Sequence, residues 1–172
     1  MTGKSHVAAA AVLSWVAFQN PFICAAAICA AKLPDQMESF IPGVKHRGPT
    51  HVLIFWFFAA AVLGSGLFIP GVPALSLGGM DVEFHSILFG IALGGLLHVC
   101  LDYLSVSGIP VFPGKSRPHA AARWYKTGHF SEYLVLGLII LLSAVVLFVS
   151  DEAAIERVRK YLTDSGFFAY FS

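Results

Sequence analysis

The sequence predicts an all-α, polytopic helical membrane protein, and three observations support this prediction. Hydrophobic residues make up 57% of the 172 residues, charged residues only 12%, and the mean hydropathy is +0.75. Several apolar runs approach or exceed the length needed to cross a bilayer. Basic residues are concentrated in the connections at one end of these runs. An ordinary soluble domain of this length is more polar.

The first apolar run carries no charge but is interrupted by Pro21. Proline disfavours helix both at its own position and at the residue before it. One interpretation is a single kinked transmembrane helix. The other is a hairpin of two short helices, Val7–Phe18 and Phe22–Lys32. We favour the hairpin, because it returns His6 to the side from which Asp35 emerges.

Three later apolar runs are predicted to cross the roughly 30 Å hydrocarbon core of a bilayer. They are Val52–Ile69, Ser86–Leu104 and Tyr133–Val149. Beyond them, apolar residues in Asp151–Leu162 share one face of an amphipathic helix, and an aromatic tail follows. We therefore divide the chain into a membrane-embedded domain, residues 1–150, and a C-terminal tail, residues 151–172.

The distribution of basic residues predicts the orientation. One end of the predicted spans has Lys32, Lys45, Arg47, Lys115, Arg117, Arg123 and Lys126, joined by Lys4 if the hairpin forms. The opposite end has only Arg157, Arg159 and Lys160. The positive-inside rule therefore assigns the first end to the cytoplasm.

Charge and cysteine content exclude two classes of protein. A formal net charge of +1 argues against a nucleic-acid partner held by bulk electrostatics. Cys24, Cys29 and Cys100 lie in apolar runs without metal-motif spacing, so we expect buried side chains and no disulfide framework.

His98 and Asp102 are the first candidate functional residues. They lie one helical turn apart near the end of an apolar run, close enough to bind one ion. Ionisable groups are costly in hydrocarbon without a partner, and they commonly mark a functional site there. The alternative is that the two side chains only hydrogen-bond each other and tie helices together.

The predicted topology brings further ionisable residues to the same side of the membrane. These are Asp35, His51 and Glu132, which join His98 and Asp102. Neutral imidazoles and carboxylates are preferred ligands of Zn²⁺, and a bound ion lowers the pKa of its water. Arg47 would bind a phosphate or another oxyanion beside them. Alternatively, Asp35 and Glu132 cap a turn and a helix, and Arg47 is a positive-inside anchor.

Several motifs, taken in order, resemble the YdjM-type family of bacterial inner-membrane proteins. They are Ser5-His6, Leu33-Pro34-Asp35, His46-Arg47-Gly48-Pro49-Thr50-His51, His98-x-x-x-Asp102 followed by Gly108-Ile109-Pro110, and Thr127-Gly128 with Glu132. The match runs from about residue 5 to residue 135 and leaves out the tail. Members of this family are described as membrane-bound metal-dependent hydrolases. A more distant similarity in ligand pattern links the chain to the zinc-dependent phospholipase C and P1 nuclease group, which cleaves phosphate esters.

The resemblance implies a metal site with Arg47 nearby. Its ligands would be His6, Asp35, His51, His98, Asp102 and Glu132. Two positions depart from the family pattern. The family commonly continues Pro-Asp with a second Asp and a His, whereas Gln36-Met37-Glu38 follows Asp35 here; Met37 cannot replace a carboxylate, and Glu38 is the alternative. Val52 stands where Ser is frequent after the Thr-His pair.

Together these observations predict a hydrolase of the bacterial inner membrane, with its metal site at the cytoplasmic boundary. Zn²⁺ is the expected ion, with Mn or Fe as other choices, and Glu132 either completes the site or acts as general base. The expected substrate is an anionic phosphoester or a membrane lipid. The alternative is a non-enzymatic membrane protein whose His/Asp cluster binds or passes a metal ion, or only locks helices together.

Overall fold

The computed structural model describes residues 1–40, 48–69, 82–110, 119–153 and 155–156. Within these residues the fold is built on helices, which confirms the all-α prediction. The helices are α1 (Gly3–Phe18), α2 (Pro21–Ala30), α3 (Leu33–Phe40), α4 (Leu53–Phe68), α5 (Val82–Tyr103) and α6 (Phe130–Ser150), with a 3-10 turn at Pro49–His51. Two short antiparallel strands, β1 (Ile109–Pro110) and β2 (His119–Ala120), pair with each other after α5.

The N-terminal run forms two helices that fold back on each other. Gln19 adopts a left-handed conformation at the end of α1, with φ 47° and ψ 27°. The Asn20 side chain then caps α2 by accepting hydrogen bonds from the next helical N–H groups. At the far ends, a Cβ added to Gly3 would lie 2.9 Å from Cε of Lys32. The arrangement is therefore the hairpin and not the single kinked helix.

Helix α5 is the central element, and its glycines let two neighbouring helices approach closely. A Cβ at Gly90 would lie 2.6 Å from the Ile23 carbonyl oxygen, and one at Gly94 would lie 2.5 Å from that of Ala27. On another face, a Cβ at Gly95 would lie 2.2 Å from the Trp56 ring. Small residues permit this close packing of apolar helices.

The prediction of three membrane-spanning helices is not confirmed. Among the described helices, two are long and apolar enough to cross a membrane, Glu83–Tyr103 and Phe130–Ser150. Helix α4 contains 16 residues. At 1.5 Å per residue that is about 24 Å, which is shorter than the roughly 30 Å hydrocarbon core.

The apolar surface is turned outward along α4 and α6. Phe55, Phe57 and Phe58 of α4 are exposed, as are Leu134 and Leu141 of α6. Polar side chains are instead concentrated in the interior, which is the arrangement expected when the surroundings of the helices are hydrocarbon.

The prediction for the cysteines was wrong at two positions. Cys24 is buried, but Cys29 and Cys100 are exposed. An apolar run did not predict burial here, because α2 and α5 also have apolar residues on their outward faces. The predicted amphipathic helix over residues 151–162 lies largely outside the described residues, so the proposed tail stays a prediction.

We predict that Gly94→Ala destabilises the protein, because the added methyl group would meet the backbone of Ala27 and not a movable side chain. Overpacking of this kind costs about 1–3 kcal/mol. The measurement is the thermal unfolding midpoint in detergent. Gly137→Ala is the matched control, since a Cβ there has no neighbouring atom within 4 Å among the described residues. Equal midpoints for the two variants would contradict the close-packing interpretation.

Candidate metal centre

Four predicted ligands meet at one end of α5. Nε2 of His51 and Nε2 of His98 lie 3.2 Å apart. Oδ1 of Asp35 lies 3.3 Å from the first of these nitrogen atoms and 3.6 Å from the second. Oδ2 of Asp102 lies 3.8 Å from each. Helix α3, the 3-10 turn and α5 therefore bring together residues that are far apart in the sequence.

Five of the six separations among these four atoms fit a tetrahedral metal site. Zinc–ligand distances of about 2.0–2.2 Å require ligand atoms roughly 3.3–3.6 Å apart around a tetrahedron. The measured separations, 3.2–3.8 Å, bracket that range. Two imidazoles and two carboxylates are also a donor set that suits a borderline divalent ion such as Zn²⁺.

The second nitrogen atom of each imidazole is already engaged. Nδ1 of His98 lies 2.7 Å from the Ala31 carbonyl oxygen, and Nδ1 of His51 lies 2.9 Å from Oε1 of Glu38. A carbonyl oxygen can only accept, so Nδ1 of His98 carries the proton. The same holds for His51 when Glu38 is ionised. In the neutral rings, both Nε2 lone pairs then face each other, and this contact requires a proton or a metal cation between them.

Glu38 organises the turn that carries His51, and the sequence analysis did not include it in the site. Its Oε1 accepts hydrogen bonds from Gly48 N at 2.6 Å and Thr50 Oγ1 at 2.7 Å, in addition to the His51 contact. Trp56 also holds this turn, since its Nε1 donates to the Thr50 carbonyl oxygen at 2.7 Å. The available signal was the spacing of Glu38, which lies one turn after Asp35 on the same helix.

His6 lies against the cluster and, with His98 and Asp102, forms one of the two groups of converging ligand atoms among the described residues. Its ring stacks on that of His98 with centroids 3.8 Å apart and planes 20° apart. Ring nitrogens bind metals in the plane of the ring, so an ion in the plane of one stacked ring lies off the plane of the other. Nε2 of His6 is also 3.2 Å from Oδ1 of Asp102. Both His6 ring nitrogens are buried and make no hydrogen bond within the described part of the chain.

The other carboxylate oxygen of Asp102, Oδ1, is held by the N-terminal residues. The Met1 amino group donates to its Oδ1 at 2.7 Å and also contacts Tyr125 Oη at 2.9 Å. The Tyr125 hydroxyl in turn donates to the Leu101 carbonyl oxygen at 2.7 Å. Oδ1 of Asp102 is thus positioned by Met1 and His6, while Oδ2 faces the imidazoles of His51 and His98.

The Glu132 carboxylate binds the start of α1. Its Oε1 accepts from Thr2 N at 2.7 Å and Thr2 Oγ1 at 2.9 Å, and its Oε2 accepts from Gly128 N at 2.8 Å. Negative charge is favourable at a helix N-terminus. Glu132 is absent from the groups of three or more ligand atoms that converge among the described residues. Arg47 lies outside the described residues, so its role stays a prediction.

The electrostatics of the cluster favour a cation. Burial raises the pKa of the Asp35 carboxyl, but hydrogen bonding and charge from the His51 and His98 imidazoles, when these are protonated, hold it well below its usual range. The cluster therefore stabilises a carboxylate beside positive charge. A divalent ion can supply that charge in place of the protons.

The fold and the site together define a helical membrane protein with a buried His/Asp cluster that could hold a metal ion. The chain belongs to the YdjM inner membrane protein family, whose model matches residues 1–159. This match confirms the family resemblance. No curated protein and no solved structure matches the chain. The similarity to the phospholipase C group stays a prediction.

We predict that His98→Ala and Asp102→Ala each remove bound metal, because each deletes one converging donor atom. Metal content after detergent purification without chelators, measured by inductively coupled plasma mass spectrometry, checks this. His129→Ala is the control, because His129 is exposed and lies outside the converging groups. Metal that survives both substitutions in folded protein would contradict the site.

We predict that Glu38→Gln weakens metal affinity about 10- to 100-fold, the usual effect of losing a carboxylate that orients a ligating histidine. The Gln side chain keeps the size of Glu38 but loses the charge that fixes Nδ1 of His51 as a donor. Titration against a chelator of known affinity provides the measurement. Unchanged affinity would show that the carboxylate only holds the turn.

Proposed function

We propose that this inner membrane protein is a metal-dependent hydrolase whose ion is held by Asp35, His51, His98 and Asp102. One observation carries the proposal: the two Nε2 atoms lie 3.2 Å apart while both Nδ1 atoms have oxygen partners. Zn²⁺ suits these donors best, and Mn²⁺ or Fe²⁺ are the other candidates. When bound, such an ion supplies a water of lowered pKa as nucleophile.

The exposure of the ligands supports a site that substrate can reach. The side chains of His51, His98 and Asp102 are at most 3% exposed, whereas that of Asp35 is 36% exposed. Four protein ligands would fill a tetrahedral site, so an ion held by these residues would take a water as its fifth ligand, on the side where Asp35 is exposed. Water and substrate would therefore approach beside Asp35, whose carboxylate is placed to orient them.

The remaining residues have supporting roles in this proposal. His6 positions Asp102 and packs against His98, and Glu132 fixes the start of α1 instead of acting as general base. Arg47, four positions before His51, would bind the anionic group of the substrate. The positive-inside rule assigns the site to the cytoplasmic boundary, where a phosphoester or a lipid headgroup is accessible.

A second candidate is a non-enzymatic centre that binds a metal ion or locks the helices together. The near-complete burial of three ligands and the contacts of Asp102 with α1 favour this function. The two candidates differ in what Asp35 does. In the hydrolase it faces the substrate, whereas in a structural centre it is only one ligand among four.

We predict metal-dependent hydrolysis of a phosphoester, tested with bis(4-nitrophenyl) phosphate and with phosphatidylglycerol in vesicles. Chelation should abolish turnover and added Zn²⁺, Mn²⁺ or Fe²⁺ should restore it. Asp35→Asn should lower kcat roughly tenfold or more, since the carboxylate on the accessible side is lost. Glu132→Gln should affect thermal stability more than kcat.

Two outcomes would contradict the proposed hydrolase function. Stoichiometric metal in wild-type protein, together with no chelator-sensitive turnover of either substrate, would favour the non-enzymatic centre. Metal-free wild-type protein, with the His98 and Asp102 variants still folded, would overturn both metal-binding candidates.

A further inference from the structure

An apolar groove with a volume of about 330 Å³ lies beside the metal centre. Its walls are Leu13 of α1, Leu53 of α4, Leu97, Cys100 and Leu101 of α5, and Leu104 directly after α5. A volume of this size is at the lower end of the range found for small-molecule sites, roughly 300–1,000 Å³. Cys100 is exposed, so the groove is reachable from outside the protein.

The groove and the metal ligands occupy neighbouring faces of the same two turns of α5. Leu97 and Leu101 in the groove directly precede His98 and Asp102 in the sequence. Consecutive residues are about 100° apart around a helix that is roughly 10–12 Å across. The groove therefore adjoins the face of α5 that carries His98 and Asp102.

Exposed aromatic residues indicate the depth of this end of the protein in the membrane. Trp124 is 65% exposed, Phe130 73% and Tyr133 56%, and Tyr103 at the end of α5 also lines the groove. Trp and Tyr are enriched at the headgroup level of membranes. The groove and the metal centre, which share this end of α5, would then both lie near the headgroups.

The charges at this end complement an anionic headgroup. Lys4 lies in the first turn of α1, and Lys32 follows Ala31, whose carbonyl oxygen contacts His98. Arg123 and Lys126 are exposed on either side of the buried Tyr125. Basic residues at the membrane surface attract anionic lipids.

We propose that the groove binds an acyl chain of an anionic phospholipid, with the lipid phosphate at the metal-centre end. The statement that this lipid is the substrate rests on the proposed hydrolase function. The binding site itself rests on the groove, the exposed aromatic residues and the four cations.

Photocrosslinking in nanodiscs tests the groove directly. Phosphatidylglycerol that carries a diazirine in one acyl chain is added at trace level to the full-length protein, and adducts are mapped by peptide mass spectrometry. Adducts should concentrate on residues 97–104. Cys100→Trp should reduce them about tenfold, because the indole fills the groove.

Cys29→Trp is the matched control, since Cys29 is the other exposed cysteine on an apolar helix and does not line the groove. It should leave the adducts unchanged. Metal content at the wild-type level verifies that the Cys100 variant is folded. If that variant loses metal, Leu104→Trp, at a lining residue directly after α5, blocks the groove in the same way.

Several outcomes would overturn the groove proposal. One is that adducts are spread evenly and also reach the lipid-facing side of α6. Another is that a phosphatidylcholine probe labels the groove as strongly as the phosphatidylglycerol probe. A third is a disulfide-linked dimer through Cys100 under mild oxidation, which would indicate that a second copy of the protein occupies the groove. Groove adducts without metal-dependent hydrolysis would support lipid binding and count against the hydrolase. Hydrolysis of the soluble phosphoester without groove adducts would support the hydrolase and count against lipid binding in the groove.

Discussion

The contact between Nε2 of His51 and Nε2 of His98, at 3.2 Å, is the interaction on which the rest of this end of the protein depends. Two neutral imidazoles oriented in this way repel each other unless a cation lies between them. The structure nevertheless fixes both rings from behind, one through the Ala31 carbonyl oxygen and the other through Glu38. Such orienting partners are characteristic of metal-binding histidines and tune the basicity of the ligand.

Helix packing places these partners correctly. The Ala31 carbonyl oxygen follows the end of α2, and α2 approaches α5 through the contacts at Gly90 and Gly94. On the neighbouring face, Trp56 lies over Gly95 and binds the carbonyl oxygen of Thr50, the residue before His51. The glycines of α5 thus determine ligand geometry as well as stability, because an added methyl group would displace the elements that orient both imidazoles.

The sequence predicted part of this arrangement for clear physical reasons. The spacing of His98 and Asp102 indicates a shared helical face, and the predicted topology brings Asp35 and His51 to the same end. The Ala31 carbonyl oxygen could not be identified, and the spacing of Glu38 did not reveal its contact with His51, because both contacts depend on how α2 and α3 pack in three dimensions. The stacking of His6 on His98 likewise depends on ring orientation, which sequence spacing does not encode. The prediction that Val52–Ile69 crosses the membrane is not confirmed, because a run of apolar residues does not reveal where its helix begins and ends.

The departure at Met37 has a structural counterpart that bears on the number of ions. Met37 packs against the apolar cluster of Trp56, Val99 and Ile109 and so contributes hydrophobic contact where the family commonly has a second acidic motif. The remaining donors form two groups that share His98, namely His6–His98–Asp102 and Asp35–His51–His98. His98 has only Nε2 available for a metal ion, because its Nδ1 donates to the Ala31 carbonyl oxygen. The His6 ring is stacked on the His98 ring and therefore lies in a different plane. An imidazole nitrogen has one lone pair and binds one ion, so under the proposed metal-binding function these residues favour a single ion held by Asp35, His51, His98 and Asp102.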